Sequence, residues 1–166
     1  MISIDLGDIT ILDYDAIVNA ANKTLLGGGG VDGAIHRRAG RELLAECRTL
    51  GGCETGEAKI TKGYNLKAKY VIHTVGPICS TQKNQASLLA NCYKNSLDLA
   101  LKHDIHSIAF PAISTGVYHY PLEEATKIAI STVKTWLDMH KDYKLDIIFS
   151  CFDEKTYNMY QRYLEA

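Results

Sequence analysis

Two kinds of hydrophobic pattern alternate along the chain. Apolar residues at three- and four-residue spacing predict amphipathic helices in four stretches: between Val31 and Leu50, Leu88–Leu101, Leu122–Trp136 and Tyr157–Leu164. Short runs rich in β-branched and other apolar residues predict six strands: Ile2–Leu6, Ala16–Asn19, Ala58–Thr61, Tyr70–Val75, Ser107–Ala112 and Leu145–Cys151. Strands and helices that alternate in this way are typical of an α/β protein.

The order of these elements predicts how the sheet is arranged. The third and fourth strands follow one another with only a short polar link, as an antiparallel pair does. We therefore expect a mixed sheet that helices cover on both faces. The 166 residues contain no repeat, low-complexity stretch or linker, so a single domain spanning 1–166 is expected.

Composition and charge narrow the class of protein. A chain with 46% hydrophobic and 22% charged residues is an ordinary globular one. Its 18 Lys and Arg balance 19 Asp and Glu, and this net charge of −1 argues against a general nucleic-acid binder. No apolar run approaches the roughly 18 residues of a membrane span, and no secretory signal is visible at the start. An odd number of cysteines with no Cys-x-x-Cys predicts buried reduced thiols in a cytoplasmic protein: Cys47, Cys53, Cys79, Cys92 and Cys151.

The densest chemical signal is a glycine-rich segment, Gly27–Gly30 with Gly33, between a predicted strand and a predicted helix. Glycines permit positive φ and remove side chains from the backbone surface, so amide groups can surround an anion. The N-terminal end of the helix adds a positive field. The segment is therefore predicted to hold a phosphate, and a flexible turn is the alternative.

Two nucleotide-binding templates do not fit well. The glycines at 28, 30 and 33 have the dinucleotide spacing, but Ala20–Leu26 separates them from the strand, which a Rossmann loop follows directly. The segment Gly51–Glu57 has the glycine spacing of a Walker A loop, but Glu57 stands where that loop has its lysine. ATPase chemistry is therefore excluded.

A second small-residue loop, Ser114–Tyr118, also lies between a predicted strand and a helix. In open α/β sheets ligands bind at the carboxyl ends of neighbouring strands, so the two loops can hold a diphosphate between them. Amides bonded to charged oxygens contribute roughly 1.5–3 kcal/mol each. A few of them account for micromolar binding, about −8 kcal/mol.

Several polar residues stand next to these loops. Asn19 and Asn22 follow an apolar strand, and their amides suit ribose hydroxyls, although a turn or cap is the alternative for Asn19. Asp8 can accept a bond from an exocyclic adenine amine or cap a turn. Asp32, at a helix start, is either an N-cap or the general base for a water molecule. No Ser-His-Asp or Cys-His arrangement is legible, and the two histidines at positions 36 and 73 are interpreted as packing and hydrogen-bonding residues.

Six motifs together resemble the macrodomain family, specifically its MacroD-type branch, over almost the whole chain. They are Gly7–Thr10, Val18–Asn22, Gly27–His36, Gly56–Ala58, Val71–Pro77 and Ser114–Tyr118. The resemblance implies a three-layer α/β/α sandwich around a mixed six-stranded sheet. It also implies that ADP-ribose binds at the carboxyl ends of the strands.

The resemblance also implies roles for individual residues. The expected adenine contacts are Asp8, Ile9 and Phe152. The expected contacts to the diphosphate and distal ribose are Gly29, Gly30 and Val31 on one side, and Ser114, Thr115, Gly116, Val117 and Tyr118 on the other. Asn22 is expected to orient the distal ribose, and Asp32 to position or activate the hydrolytic water.

Two features qualify this picture. His119 stands where the branch usually has glycine, so it is expected to stiffen the phosphate loop or contact the ligand. Gly27–Gly33 holds none of the Cys and His ligands of the zinc-dependent branch, so neither a metal nor another cofactor is expected.

The resemblance favours a hydrolase of ADP-ribose esters. Its expected reactions are removal of mono-ADP-ribose from acidic side chains of proteins and deacetylation of O-acetyl-ADP-ribose. The alternatives are a non-catalytic reader of ADP-ribosylated proteins and a phosphatase acting on ADP-ribose phosphate. A monomer without membrane or nucleic-acid partners is expected.

Overall fold

The computed structural model describes residues 1–79 and 84–165, and a single six-stranded sheet lies at its centre. The strands are β1 (Ile2–Leu6), β2 (Ala16–Ala20), β3 (Ala58–Lys62), β4 (Tyr70–Thr74), β5 (Ser107–Phe110) and β6 (Asp146–Cys151). Their spatial order is β1-β6-β5-β2-β4-β3. Only β3 is antiparallel to its neighbour β4. The predicted mixed sheet and its antiparallel pair are confirmed.

Five α-helices and one 3-10 turn accompany the sheet in the described residues. They are α1 (Gly30–Ala39), α2 (Arg41–Arg48), α3 (Gln85–Lys102), α4 (Leu122–Met139), α5 (Glu154–Glu165) and the 3-10 turn Ile9–Ile11. The prediction of one helical stretch between Val31 and Leu50 is wrong, because Gly40 separates α1 from α2. Its φ of +91° is unsuited to an α-helix, and a Cβ there would lie 2.9 Å from Asn65 Nδ2.

The two faces of the sheet support separate cores, which confirms the three-layer expectation. Val18 and Ile72 pack with α3, α4 and α5, whereas their neighbours Ile17 and Val71 pack with α1 and α2. This is the period of two expected for strands that are covered on both sides. Across residues 1–79 and 84–165, no helix is long and apolar enough to cross a bilayer.

The parallel strands bring their carboxyl ends to one edge of the sheet. The residues predicted to bind or react lie in the segments that follow β1, β2, β5 and β6 at this edge or in the first turn of α1, except Asn19, which lies within β2. The β2 segment runs into α1 and the β5 segment into α4. The sheet topology therefore collects the predicted residues along one rim.

Candidate functional site

The loop from β2 to α1, residues 21–29, is built around the side chain of Asn22. Its Oδ1 accepts hydrogen bonds from the amides of Thr24 and Leu25, at 3.2 Å each, and from Thr24 Oγ1 at 2.6 Å. Its Nδ2 donates to the carbonyl of Gly27 at 3.0 Å. Asn22 therefore holds the glycine-rich segment in place, in addition to any contact with a ligand.

The glycines of this segment allow the loop and α1 to approach closely. A Cβ on Gly33 would lie 2.5 Å from the carbonyl oxygen of Gly28, so only glycine fits at that point of α1. Gly30 has φ +58°, and no atom lies within 4 Å of the Cβ position of Gly29 or Gly30. The first amides of α1 thus open on an uncovered backbone surface, where an anion can accept their hydrogen bonds.

Asp32 lies in the first turn of α1 and is only 4% exposed. Its Oδ1 accepts a hydrogen bond from Asn19 Nδ2 at 2.8 Å, and His36 Nε2 lies 3.5 Å from the same oxygen. Its Oδ2 faces the loop, since a Cβ on Gly28 would lie 3.1 Å from it and 3.4 Å from Asn22 Nδ2. The two predicted catalytic side chains therefore flank the same glycine.

Burial raises the pKa of the Asp32 carboxyl above its ordinary value. The hydrogen bond from Asn19 and the charge of His36 oppose that shift. A carboxylate with a raised pKa binds a proton more readily than an exposed one, which suits a general base. Asp32 is therefore more than a helix cap: the N-cap of α1 is Gly29, and one oxygen of Asp32 remains directed toward the loop.

The structure gives Asn19 a different place from the one predicted for a ligand contact. Its side chain has no exposed surface and lies at the centre of a buried polar group. Its Nδ2 lies 3.1 Å from His73 Nδ1 as well as 2.8 Å from Asp32. Asn19 therefore contributes to the site by holding Asp32, because a fully buried side chain cannot touch a ligand in this conformation.

Two residues of this polar group were not assigned to the site from the sequence. His73 is fully buried, and its Nε2 lies 2.9 Å from the hydroxyl of Thr61. Asn19 and His73 are register partners on the parallel strands β2 and β4. Polar residues at facing positions of two otherwise apolar strands were the available signal, but it becomes visible only when the strand pairing is known.

The second loop, residues 111–121, follows β5 and also presents backbone amides. In the part of the chain that the structure describes, the amides of Gly116, Val117 and Tyr118 donate to no protein acceptor. Gly116 is exposed, and no atom lies within 4 Å of its Cβ position. Consecutive unpaired amides next to open space form an anion-binding nest. This is the arrangement predicted for the second loop.

Ser114 and Thr115 immediately precede this nest in the chain. Ser114 has φ +67°, and its buried Oγ finds no partner among the described residues. Gly76 packs directly against it, since a Cβ on Gly76 would lie 2.0 Å from Ser114 Oγ. Thr115 Oγ1 donates to the carbonyl of Ala112 at 2.8 Å. The hydroxyl of Thr115 thus stabilises the loop, whereas that of Ser114 is buried against Gly76.

Tyr118 connects the two loops electrostatically. Its pKa is raised by burial and, second, by the negative charge of Asp32. The phenol of the second loop is therefore close enough to the carboxylate of the first for its charge to act on it. His119, the next residue, has φ +59°, which explains why glycine is favoured at that position.

The opposite end of the rim carries the residues predicted to contact a base. Asp8 caps the 3-10 turn: its Oδ1 accepts bonds from Thr10 Oγ1 at 2.7 Å and Thr10 N at 2.9 Å, and the first of these lowers its pKa most. Phe152 follows β6 and is 90% exposed, an unusual position for a large aromatic side chain. The side chain of Ile9 is buried in the core, which leaves its main chain for any ligand contact.

The assembled rim therefore has three chemically different parts. An exposed aromatic ring and a carboxylate follow β6 and β1 at one end, the two uncovered backbone surfaces follow the neighbouring strands β5 and β2, and Asp32 lies at the end beyond β2. This order suits an elongated ligand with a planar base, a central anionic group and a reactive far end.

Comparison with known proteins agrees with this geometry. The Macro domain family model matches residues 18–129. A macro domain-containing protein of Mesorhizobium japonicum is 60% identical, over 99% of this chain and 94% of its own length. ADP-ribose glycohydrolase MACROD1 of Rattus norvegicus is 58% identical over 98% of this chain, which spans 64% of that longer protein.

A solved structure supports the same conclusion. The Trypanosoma brucei macrodomain in complex with ADP-ribose superimposes with a TM-score of 0.93 and is 49% identical, over 98% of this chain and 68% of that one. The fold, the sequence motifs and the sequence identity over nearly the full length all indicate the same family. The chain therefore belongs to the macrodomain family, in its MacroD-type branch.

Proposed function

We propose that this chain binds ADP-ribose and hydrolyses its esters at the distal ribose. The observation that carries the proposal is the buried Asp32 carboxylate, held by Asn19 through one oxygen and directed by the other toward the glycine-rich loop. The relatives named ADP-ribose glycohydrolases and the ADP-ribose complex of a structural neighbour support the choice of ligand.

Binding uses the three parts of the rim in order. Phe152 offers a face for the adenine, and Asp8 can accept a bond from the adenine amine. The amides of Gly116–Tyr118 and the first turn of α1 donate to the diphosphate from opposite sides. The distal ribose then reaches the space between Asn22 and Asp32.

Hydrolysis consumes one water molecule and needs one proton acceptor. The water oxygen attacks the ester, and Asp32 accepts a proton from the water as the new bond to oxygen forms. The bond between ADP-ribose and its acyl group then breaks, and the leaving group takes up the proton. The products are ADP-ribose and a free carboxylic acid. A positioned general base contributes roughly 10²–10⁴ in rate.

Two substrate classes fit this chemistry: proteins that carry mono-ADP-ribose on acidic side chains, and O-acetyl-ADP-ribose. Gly28 and Gly29 are exposed and Leu26 is 48% exposed, so the outer side of the catalytic loop leaves room for a protein acceptor. All of these groups come from one chain, which supports a monomer as the working unit. Four of the predicted thiols are buried (Cys47, Cys53, Cys92 and Cys151), whereas Cys79 is only half-buried, contrary to the prediction. The buried thiols support the proposed cytoplasmic location.

The test compares wild type with Asp32→Ala and with Asp138→Ala, a control on the exposed surface of α4. Three substrates are assayed separately: a glutamate-modified protein, O-acetyl-ADP-ribose and ADP-ribose phosphate. We expect Asp32→Ala to bind ADP-ribose but to release it from the protein about 10²–10⁴ times more slowly. Asp138→Ala should match wild type.

Other outcomes would refute the proposal. Binding without turnover of any substrate would make the protein a reader, and turnover of the phosphate alone would make it a phosphatase. If Asp32→Ala released ADP-ribose at the wild-type rate, Asp32 would serve the fold only.

A further inference from the structure

A continuous set of buried polar contacts leads away from Asp32 into the sheet. It runs from Asp32 Oδ1 to Asn19 Nδ2 at 2.8 Å, on to His73 Nδ1 at 3.1 Å, and from His73 Nε2 to Thr61 Oγ1 at 2.9 Å. Asn19 and His73 have no exposed surface, and Thr61 is 2% exposed. Beyond it, Thr61 Oγ1 donates to the carbonyl of Lys62 at 3.1 Å.

The donors and acceptors along this set allow one direction only. An ionised Asp32 can only accept, so Asn19 turns its NH₂ group toward the carboxylate. The second hydrogen of that NH₂ group is directed at His73 Nδ1, which must then be the unprotonated nitrogen of the ring. The proton of His73 therefore sits on Nε2, which donates a hydrogen bond to Thr61 Oγ1. The hydroxyl of Thr61 in turn donates to the carbonyl of Lys62.

His73 itself is not suited to exchange protons in the reaction. Burial lowers its pKa to about 3, with a smaller contribution from the charge of His36, so it stays neutral at physiological pH. The thiol of Cys47, 3.8 Å from His73 Nε2, is also kept neutral, since burial raises its pKa to about 11. What His73 offers is a fixed lone pair on Nδ1.

We propose that His73 is a positioning residue for the hydrolytic reaction: its Nδ1 orients the Asn19 amide, which in turn fixes the carboxylate of Asp32. This inference rests on the proposed function, because it gives His73 its effect through Asp32. Without an acceptor at the Nδ1 position, the Asn19 amide can rotate, and Asp32 loses both its orientation and a hydrogen bond to its charged form. An error of about 1 Å in the position of a catalytic group can cost about 10²-fold in rate.

Two substitutions of His73 separate this role from simple packing. In His73→Asn the side-chain amide occupies the place of Nδ1, so its oxygen can accept from Asn19. In His73→Gln the amide occupies the place of Nε2 and meets Thr61 instead. Both variants remove the ring, so both are expected to lose some stability. Ile72→Val, one position away on the opposite face of β4, is the control for a modest loss of core packing.

Kinetics per folded molecule, with a glutamate-modified protein as substrate, give the first readout. We expect His73→Gln to lower kcat about 10- to 100-fold with little change in KM, since the residues that hold the diphosphate are untouched. The acid limb of its pH profile should move to higher pH, because Asp32 loses the bond that favours its charged form. His36, Tyr118 and Cys47 also face this carboxylate and are left in place. His73→Asn should keep most of kcat, and Ile72→Val should match wild type.

The ring nitrogens of His73 give a readout that is independent of activity. Nitrogen-15 NMR of the wild-type protein should show a neutral imidazole with its proton on Nε2 from about pH 5 to about pH 8. Thr61→Val removes the acceptor for that proton and should weaken the preference for Nε2 without reversing it, because the Asn19 amide still donates to Nδ1, whereas Thr61→Ser should leave it unchanged. These two variants also serve if a His73 variant fails to fold.

The inference is overturned if the proton is found on Nδ1, or if folded His73→Gln and His73→Asn lose activity equally. It is also overturned if His73→Gln keeps the wild-type kcat and acid limb. Asp32→Ala, assayed in parallel, distinguishes a failure of the proposed function from a failure of the positioning role of His73. Full activity there would refute the proposed function, whereas its loss together with an active His73→Gln would refute only the positioning role.

Discussion

Replacing Gly116 by Val tests the second loop as a phosphate site without disturbing the fold. Gly116 is exposed, its φ lies outside the left-handed region, and no atom lies within 4 Å of its Cβ position. A valine side chain therefore meets no protein atom at its Cβ and enters the space above the unpaired amides. Its effect should fall on the ligand and not on stability.

The magnitude follows from the number of amides that the side chain covers. Hydrogen bonds to a charged oxygen are worth roughly 1.5–3 kcal/mol each. Loss of two of the three unpaired amides as donors would therefore cost about 3–6 kcal/mol. Since about 1.4 kcal/mol corresponds to a tenfold change, the Kd for ADP-ribose should rise at least about 100-fold.

Titration calorimetry with free ADP-ribose measures this change, with Gly116→Ala as the graded control. The alanine variant fills less of the same space and should bind between wild type and Gly116→Val. Thermal unfolding of all three proteins should give similar midpoints. Unchanged affinity in the valine variant would show that the second loop does not touch the ligand, and a large fall in its midpoint would show that the loop is packed differently.

Two further predictions concern the scaffold. Gly76→Ala places a Cβ 2.0 Å from Ser114 Oγ, so we expect it to lower the free energy of unfolding by about 1–3 kcal/mol in urea denaturation; an unchanged value would mean that this contact is loose. The pKa of His106 is raised, first by its bond to the Lys144 carbonyl, so this bond stabilises the fold fully below the ordinary value near 6.5 and less as pH rises through the raised pKa. Urea denaturation across that range should show the advantage of wild type over His106→Gln shrinking toward higher pH, and an advantage that grows with pH would contradict this linkage.

The fold was largely predictable because its strands and helices carry clear periodic patterns. All six strands appear within two residues of their predicted ends. The break at Gly40 was missed, since the apolar spacing continues across it and only the φ of +91° reveals the turn. The 3-10 turn after β1 was also missed, because three residues are too few to show a period.

The site was predictable where it is made of backbone and less so where it is made of contacts. Glycine-rich loops can be recognised in the sequence, because few other structural roles require so many glycines together. The burial of Asn19 could not be predicted from the sequence, since its surroundings depend on the pairing of β2 with β4. His73 and Thr61 were left out for the same reason: their partners are far away in the chain, and only the sheet register brings them together.

A crystal structure with bound ADP-ribose would test the central claim most directly. We predict density for the diphosphate between the first turn of α1 and Gly116–Tyr118, with the distal ribose next to Asp32 Oδ2 and the adenine against Phe152. Density for the nucleotide at another surface, or with the ribose turned away from that carboxylate, would contradict it.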